Sequence, residues 1–445
     1  MIQLNLLLLA FLIFFSFRSV TQLILNRLNT SYIRQHGNIV PEVFQDAVDQ
    51  EKLKKISAYT ADSAAFGIIS SLASQAFLLV ILLSGFLPWL VKYIHQWGFG
   101  LIASSLVFFA SLSVLTNLLR IPFSLYDTFV IESRYGFNTK TFRVWVSDLL
   151  KSLALSALLG ALLLWVFLTL LVRGGNAWWV WAWIIIGAFE LLMMWLYPVI
   201  IAPLFNKFEP LANKELEDHI QALMERAGLR AKGVFRMDAS KRSKHTNAYF
   251  TGLGKSKRIV LFDTLLEAHT GEEILAVLAH ELGHWKKKHV HKQLILAEFL
   301  SLAGFYVVAR LLDWPLMYRT FGFSEAIPYV GLFLMGALFS PLGYFAQPLA
   351  AAISRKFERE ADDFTLTLIQ RAEPMVKALK RLAADNLANL TPHFLYAWFY
   401  YSHPPLVERI ERLKGRSNSF ATEHTTRQSR NQKCLECLKL KNSQR

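Results

Sequence analysis

The sequence is poor in cysteine and in charged residues, and each shortage excludes a class of protein. Only two of the 445 residues are cysteines, Cys434 and Cys437, and both lie near the C-terminus. No disulfide framework can therefore hold the body of the chain together. Charged residues make up 18% of the sequence, against roughly 25% in soluble domains. This composition argues against an ordinary soluble enzyme. The isolated Cys-x-x-Cys pair has too few neighbouring ligands to predict a metal or redox site.

Acidic residues are also scarce relative to basic ones. There are 33 Asp and Glu against 48 Lys and Arg, which gives a formal net charge of +15 in a chain whose mean hydropathy is +0.32. Such an excess either binds nucleic acid or flanks membrane spans. A concentrated basic face with interleaved aromatic residues is missing, and the basic residues collect in alternate loops. We therefore predict a lipid bilayer as surroundings and no nucleic-acid partner.

Long stretches almost free of Asp, Glu, Lys and Arg predict membrane helices, which need about 20 apolar residues each. Seven are present: 1–17, 63–91, 93–119, 152–172, 174–202, 293–309 and 326–354. Two of them contain one acid each, Glu190 and Glu298, for which pairing with a cation near the membrane edge and lining an internal cavity are both open. The first stretch has no basic residue before it and no convincing cleavage site after it, so we expect a retained helix rather than a signal peptide.

The distribution of basic residues predicts the orientation in the membrane. The first and third loops, the long segment 203–292 and the C-terminal region are rich in Lys and Arg, whereas the other loops carry one or two each. The positive-inside rule then places the N-terminus outside and the long segment and C-terminal region in the cytoplasm. The membrane would be the inner membrane in a bacterium and the endoplasmic reticulum membrane in a eukaryote.

This division predicts five consecutive regions. Residues 1–202 hold the first five helices with their loops. The rest follows as a soluble segment (203–292), two more membrane helices (293–354), a second soluble part (355–414) and a disordered basic tail (415–445).

Residues 203–292 read as a small folded unit. An amphipathic helix is predicted over 214–227 and a strand over 234–237. A hairpin is predicted from strands 247–251 and 258–262, with the turn at 252–255. Thr270 and Glu273 form a capping-box pattern that predicts the start of another helix. After the seventh span, another helical region is predicted over 354–368, with more helix through Leu390.

The predicted capped helix carries His280-Glu281-Leu282-Gly283-His284, an H-E-x-x-H pattern. Residues four apart share one helix face, so both imidazoles can bind one metal ion while Glu281 points to the same region. Chance would produce the pattern roughly 0.02 times in a chain of this length and composition. Zinc held by three protein ligands and one water is the usual catalytic arrangement for it.

A third ligand has to come from elsewhere in the chain. The metzincin position for a third histidine, residue 290, is Val. His289 and His291 are predicted to lie on other faces of the helix and at the membrane interface. Glu358 is the best candidate, because Asp362 follows it by one helical turn and could orient a ligand imidazole. Glu360 is the weaker choice.

Several further blocks, taken with the H-E-x-x-H, resemble the Ste24 family of CAAX prenyl proteases, which are membrane zinc metallopeptidases of class M48. The resemblance extends from the first loop to about Leu413. Its blocks are Ile121 to Tyr126, Thr128 to Glu132, Tyr135 to Asn138, Ala202 to Phe208, Asn247 to Phe250, Lys257 to Leu266, Ser354 to Asp362, and His403 to Pro405 with Glu408 and Arg409. One departure is Arg359-Glu360, where the family commonly has an aromatic residue and then Gln.

The resemblance implies a mainly α fold in which seven membrane helices enclose a chamber, with a cytoplasmic zincin-like metalloprotease domain that contains a small β-sheet. It implies one Zn2+ per chain with Glu358 as third ligand, and a peptide or protein substrate that is CAAX-like or membrane-associated. Asn247 and Ala248 would lie on an edge strand that aligns the substrate, and His403 and Arg409 would flank the site. We expect a monomer.

The predicted chemistry is metal-assisted peptide hydrolysis. Glu281 would act as general base and His403 would stabilise the oxyanion. One alternative is an HtpX-like quality-control protease, which is shorter and would not be expected to share the blocks at Ile121 and Ala202. A second alternative is a transporter or receptor with structural zinc, but structural sites are usually closed four-ligand sets rich in cysteine.

Overall fold

The computed structural model describes residues 2–252 and 257–417. The cysteine pair, nearly all of the predicted basic tail and most of the predicted hairpin turn lie outside the described residues. The α-helices and strands of the described part are as follows: α1 (Leu6–His36), α2 (Gln50–Leu83), α3 (Phe86–His95), α4 (Leu101–Tyr126), α5 (Glu132–Tyr135), α6 (Phe142–Arg173), α7 (Trp178–Leu196), α8 (Ala202–Phe205), β1 (Phe208–Pro210), α9 (Lys214–Ala227), β2 (Val234–Met237), β3 (Ala248–Thr251), β4 (Arg258–Phe262), α10 (Asp263–Ala268), α11 (Gly271–Lys286), α12 (His289–Leu311), α13 (Pro315–Thr320), α14 (Pro328–Ile369), α15 (Glu373–Asp385) and α16 (Phe394–Tyr400).

Seven helical segments of the described residues are long and apolar enough to cross a membrane, which confirms the predicted number. They are Leu6–His36, Gln50–Leu83, Leu101–Tyr135, Phe142–Arg173, Gly175–Phe205, His289–Leu311 and Pro328–Ile369. Short π-helical turns, Asp127–Ile131 and Tyr197–Ile201, continue the third and fifth segments beyond α4 and α7. The protein is therefore a multi-pass membrane protein.

The ends of two spans differ from the prediction. The charge-free stretch 63–91 is interrupted at Gly85, whose φ of 81° lies in the left-handed region, where a residue without Cβ fits best. The helix before this break begins at Gln50, upstream of the charge-free stretch. A stretch without charged residues predicts which part of the chain can lie in lipid. It does not predict where the helix begins or ends, because helix ends depend on caps and backbone conformation.

The predicted helical region 354–368 is confirmed, and it continues the seventh span without a break. It is the last part of α14, a single helix of 42 residues that begins in the seventh span and ends at Ile369. Residues 350–356 contain no glycine or proline that would end a helix. The sequence becomes more polar there, but the helix continues. A helix that starts among apolar residues thereby carries Glu358 and Asp362 to the site.

Four strands form one small sheet in the order β1-β2-β4-β3. The parallel pair is β2 and β4, and the other two pairings are antiparallel. Ala248 pairs with Leu261 and Thr251 with Arg258, which confirms the predicted hairpin pairing of the two strands. One side of β3 has no strand partner among the described residues, so β3 is an edge strand.

The sheet, α9, α11 and α14 share one apolar core. Ile220, Leu261 and Leu278 have no exposed surface in it. Full burial of such a side chain contributes roughly 1.5–3 kcal/mol. α11 also approaches α14 closely, because a Cβ at Gly283 would lie 2.9 Å from the Cα of Ala361. This contact fixes α11 against the helix that carries Glu358.

The two acids inside the spans face each other between α7 and α12. The carboxylate of Glu298 lies against Gly187, and Glu190 is close enough to feel its charge. The indole of Trp183 donates to the backbone oxygen of Glu298 over 3.1 Å. Within residues 2–252 and 257–417 neither acid forms an ion pair with a cation, so the expected alternative of cation pairing is wrong.

Candidate metal centre and active site

α11 begins where the capping box predicted it. The hydroxyl of Thr270 accepts from the backbone N–H of Glu273 over 3.4 Å, and the carboxylate of Glu273 accepts from the backbone N–H of Thr270 over 2.9 Å. Two otherwise unpaired N–H groups are thereby satisfied. With its start fixed and its apolar face buried, α11 presents His280, Glu281 and His284 near its C-terminal end.

Ligand-type atoms of three residues converge between α11 and α14. His280 Nε2 and His284 Nε2 are 3.2 Å apart, and they lie 3.2 Å from Glu358 Oε2 and from Glu358 Oε1, respectively. His280 and Glu358 are buried and His284 is half-buried. The structure therefore brings together the three residues that the sequence analysis predicted as metal ligands.

These atoms suit a metal cation. His280 turns its Nδ1 to the Asp362 carboxylate at 2.9 Å, which places the proton on that nitrogen and leaves a lone pair on Nε2. The facing carboxylate atom, Glu358 Oε2, is buried and has no hydrogen-bond donor. The Arg409 guanidinium also lies 3.2 Å from His280 Nε2. Imidazole and carboxylate lone pairs that converge in this way are the arrangement that a bound cation satisfies.

Asp362 and Arg409 support His280 from behind. The Arg409 guanidinium donates to both carboxylate oxygens of Asp362, over 2.8 Å and 2.7 Å, and all three side chains are buried. Such a two-pronged charged contact fixes the carboxylate in position and angle. Asp362 therefore orients the His280 ring, as the one-turn spacing from Glu358 suggested, and Arg409 lies at the site.

His289 lies at the site and not at the membrane interface, so that prediction was wrong. Its side chain is 2% exposed, its Nδ1 lies 3.1 Å from His284 Nδ1, and its Nε2 lies 3.0 Å from Glu360 Oε2. The physical reason is a helix break at Lys288. Its φ of 56° is left-handed, so the chain changes direction between α11 and α12. His289 starts a new helix, so the faces of α11 do not apply to it. His291 is exposed and lines the pocket beside Glu281.

Glu281 opens onto a small pocket between α11 and the end of β3. The pocket has a volume of about 130 Å³, and its lining includes Phe250, Thr251 and Trp285. Burial, together with the nearby Glu358 carboxylate, raises the pKa of Glu281 against the opposing influence of His280 and His284. A carboxylate with a raised pKa is a better proton acceptor near neutral pH.

The remaining predicted residues lie around this centre. Ala248 is buried on β3, and Asn247 is exposed just before it, with its side-chain oxygen accepting from the Ala248 N–H over 2.8 Å. His403 Nε2 lies 3.3 Å from Glu358 Oε1, and its side chain is 60% exposed. It therefore borders the centre from the open side.

One half-buried polar cluster was not predicted. His245 bonds Asn386 Oδ1 over 2.9 Å and Glu132 Oε2 over 3.2 Å, and Glu132 accepts from the Tyr59 hydroxyl over 2.7 Å. Burial opposes the charged form of His245, but the bonds to Glu132 and Asn386 outweigh it and raise the pKa. Glu132 belongs to a block that carries the resemblance, which was the only sequence signal for this link between the second and third spans and the catalytic segment.

Seven apolar spans and a buried His-His-Glu set next to a glutamate define a membrane metallopeptidase. Comparison with known proteins gives the same class. Residues 29–207 match the family model described as CAAX prenyl protease N-terminal, five membrane helices, and residues 210–417 match peptidase family M48. The first match favours the CAAX prenyl protease branch over the HtpX-like alternative.

Individual relatives agree over most of their length. The CAAX prenyl protease 1 homolog of Arabidopsis thaliana is 36% identical over 84% of this chain and 90% of its own. The CAAX prenyl protease 1 of Saccharomyces cerevisiae is 34% identical over 84% and 88%. The crystal structure of S. mikatae Ste24p superposes with a TM-score of 0.87 at 31% identity, covering 92% of this chain and 100% of that one. The chain belongs to the Ste24-type CAAX prenyl proteases of family M48, and it is a membrane metalloendopeptidase.

Proposed function

We propose that this protein is a zinc endopeptidase that cleaves membrane-associated substrates with CAAX-like C-termini, prenylated ones included. The observation that supports zinc is the convergence of donor atoms from the two histidines and Glu358. Ligand atoms roughly 2.0–2.1 Å from a tetrahedral zinc ion lie about 3.3 Å from one another. The two histidine Nε2 atoms are 3.2 Å apart, and each lies 3.2 Å from a different oxygen of the Glu358 carboxylate. The relatives' identity as CAAX prenyl proteases supports the CAAX substrate class.

A bound zinc ion would polarise the scissile carbonyl and lower the pKa of a bound water. The chain's own residues carry out the other tasks. Glu281 Oε accepts the proton of the attacking water and later delivers it to the leaving amine. His403, whose ring borders the centre on its exposed side, donates to the oxyanion. Asp362 and Arg409 keep His280 in place throughout.

Substrate alignment falls to β3. An extended peptide that adds to an exposed sheet edge gains main-chain hydrogen bonds whatever its side chains are. β3 is such an edge and ends at the pocket beside Glu281. Asn247 and Ala248, at its other end, would hold the peptide so that the scissile bond reaches the metal centre.

The catalytic segment would face the cytoplasm, because the loops on its side of the membrane carry the excess of Lys and Arg. Lys287→Cys, in a chain with Cys434 and Cys437 replaced by serine, checks the orientation. A membrane-impermeant maleimide should label it only from the cytoplasmic face, and labelling from the outside would contradict the proposal.

Cleavage of farnesylated and unmodified CAAX peptides by the purified full-length protein tests the function. We expect the farnesylated peptide to be cleaved with the higher kcat/KM. Glu281→Gln should retain zinc and lose activity by roughly 10²–10⁴-fold, the usual contribution of a general base. Glu272→Gln, an exposed position on the same helix, should leave the rate unchanged. Equal cleavage of both peptides would overturn the lipidated substrate class, and near-normal activity of Glu281→Gln would overturn the role of Glu281.

A further inference from the structure

The two histidines of the H-E-x-x-H are supported in different ways. Behind His280 lies a carboxylate, Asp362, at 2.9 Å from its Nδ1. Behind His284 the corresponding atom is a nitrogen, Nδ1 of His289, at 3.1 Å. A metal-binding imidazole almost always donates its second N–H to an acceptor that fixes the ring. His284 therefore needs His289 to act as an acceptor.

The position of Glu360 makes His289 an acceptor. His284 turns Nε2 to the converging atoms, so its proton is on Nδ1 and points at His289 Nδ1. A neutral imidazole has one N–H and one lone pair. Glu360 Oε2, a pure acceptor 3.0 Å from His289 Nε2, draws the N–H of His289 to that nitrogen. The lone pair is then left on Nδ1, opposite the N–H of His284.

Packing holds the His289 ring in this orientation. The ring stacks on Phe357 with centroids 4.2 Å apart and planes 9° from parallel. Its side chain is 2% exposed. The left-handed conformation of Lys288 turns the chain so that His289 folds back onto α11. Lys292 lies 3.7 Å from Glu360 Oε2 on the exposed side, and it keeps that carboxylate charged and oriented.

We infer that His289 and Glu360 are positioning residues that fix the ring and tautomer of the metal ligand His284. The inference rests on the proposed zinc site. α14 then supplies a metal ligand, Glu358, and through Asp362 and Glu360 it also orients both histidines of α11. All three carboxylates lie within five residues of one helix. The ligand set is thereby held by α11, α14 and the first residue of α12.

Two substitutions at position 289 separate positioning from packing. His289→Phe keeps a flat ring against Phe357 but removes the acceptor. His289→Asn loses the ring but places an amide oxygen close to the former Nδ1. We expect His289→Phe to bind Zn2+ about 10–100-fold more weakly, in the range typical of lost ligand support, and His289→Asn to stay within a few-fold of the unmodified protein. Competition with a chromophoric chelator measures the affinity, and the visible spectrum of the Co2+-substituted protein reports ligand geometry.

Position 360 provides the second pair. Glu360→Gln retains an oxygen that can accept from His289, so its Zn2+ affinity should fall only a few-fold. Glu360→Leu removes the acceptor and should match His289→Phe. Glu408→Gln removes an exposed carboxylate paired with Arg359 and should change neither the affinity nor the Co2+ spectrum.

The outcomes distinguish this inference from the proposed function. Unmodified protein without Zn2+ affinity would overturn the proposed function. Tight Zn2+ binding that is equal in the unmodified protein, His289→Phe and Glu360→Leu would overturn the positioning role alone. Weak binding by His289→Asn equal to that of His289→Phe would also overturn it, because an acceptor restored at this position would then not recover the affinity.

Discussion

Two consecutive helices, α11 and α12, are held in place by different surroundings. Nine of the 16 residues of α11 are buried within the protein, including His280 and Gly283. Only one of the 23 residues of α12 is buried, and that residue is His289 at its first position. The rest of α12 depends on lipid. Because unpaired backbone N–H and C=O groups are costly in lipid, a spanning segment stays helical. α11 depends on side-chain contacts, so substitutions there should have larger effects.

Paired glycines test this difference most strongly. Gly283→Ala would place a Cβ 2.9 Å from the Cα of Ala361, against backbone that cannot give way. Overpacking of this kind costs about 1–3 kcal/mol and would separate the H-E-x-x-H helix from Glu358. Gly304→Ala on α12 meets no atom within 4 Å and should be neutral. Thermal unfolding in detergent and bound zinc per chain measure both variants, and similar values for the two would break the comparison.

Loss of one buried carboxylate should have the next largest effect. Asp362→Asn weakens the contact to His280 and removes the charge that pairs with buried Arg409. We expect Zn2+ affinity to fall by about 10–100-fold. Asp363→Asn is the matched control, because Asp363 is the adjacent residue and pairs with Arg412 away from the metal centre. Equal losses of affinity in both variants would show that general charge, and not the Asp362 contact, matters.

The smallest difference is expected at the helix starts. Thr270→Ala removes the cap of α11 and should lower the free energy of unfolding of the catalytic segment by about 1 kcal/mol. Thr141 caps the spanning helix α6 through the N–H of Val144 at 3.3 Å. Because the bilayer already enforces that helix, Thr141→Ala should change the unfolding free energy by roughly a few tenths of that amount. Hydrogen exchange at the first turn of each helix measures the two effects, and greater opening of α6 would contradict the prediction.

Local rules in the sequence predicted the soluble elements well. The helix over 214–227, the strand over 234–237 and the capped start of α11 are confirmed. Each of these depends on features close together in the chain: amphipathic spacing, β-branched residues or a capping box. The number of membrane helices was also predicted correctly. Hydropathy is summed over a stretch of residues, so it can be evaluated without knowing the contacts that each residue makes.

Features that depend on backbone direction could not be predicted in this way. His289 was assigned to a face of α11 because nothing in Lys286-Lys287-Lys288 indicates a left-handed residue, and Lys rarely adopts one. Convergence of Glu358 with His280 and His284 was predicted only from helical spacing and family resemblance, since 74 residues separate His284 from Glu358. The cluster of His245, Glu132 and Asn386 joins three distant segments, and no local pattern connects them.

The length of α14 has a mechanical consequence. A helix of 42 residues is about 63 Å long, roughly twice the thickness of the hydrocarbon core of a bilayer. Pro341 and Pro348 lie within it without ending it, and no loop separates the lipid-embedded part from Glu358. Any tilt that the surrounding lipid imposes on this rod is transmitted to the ligand it carries. The position of Glu358 is thereby tied to the orientation of a membrane-spanning segment.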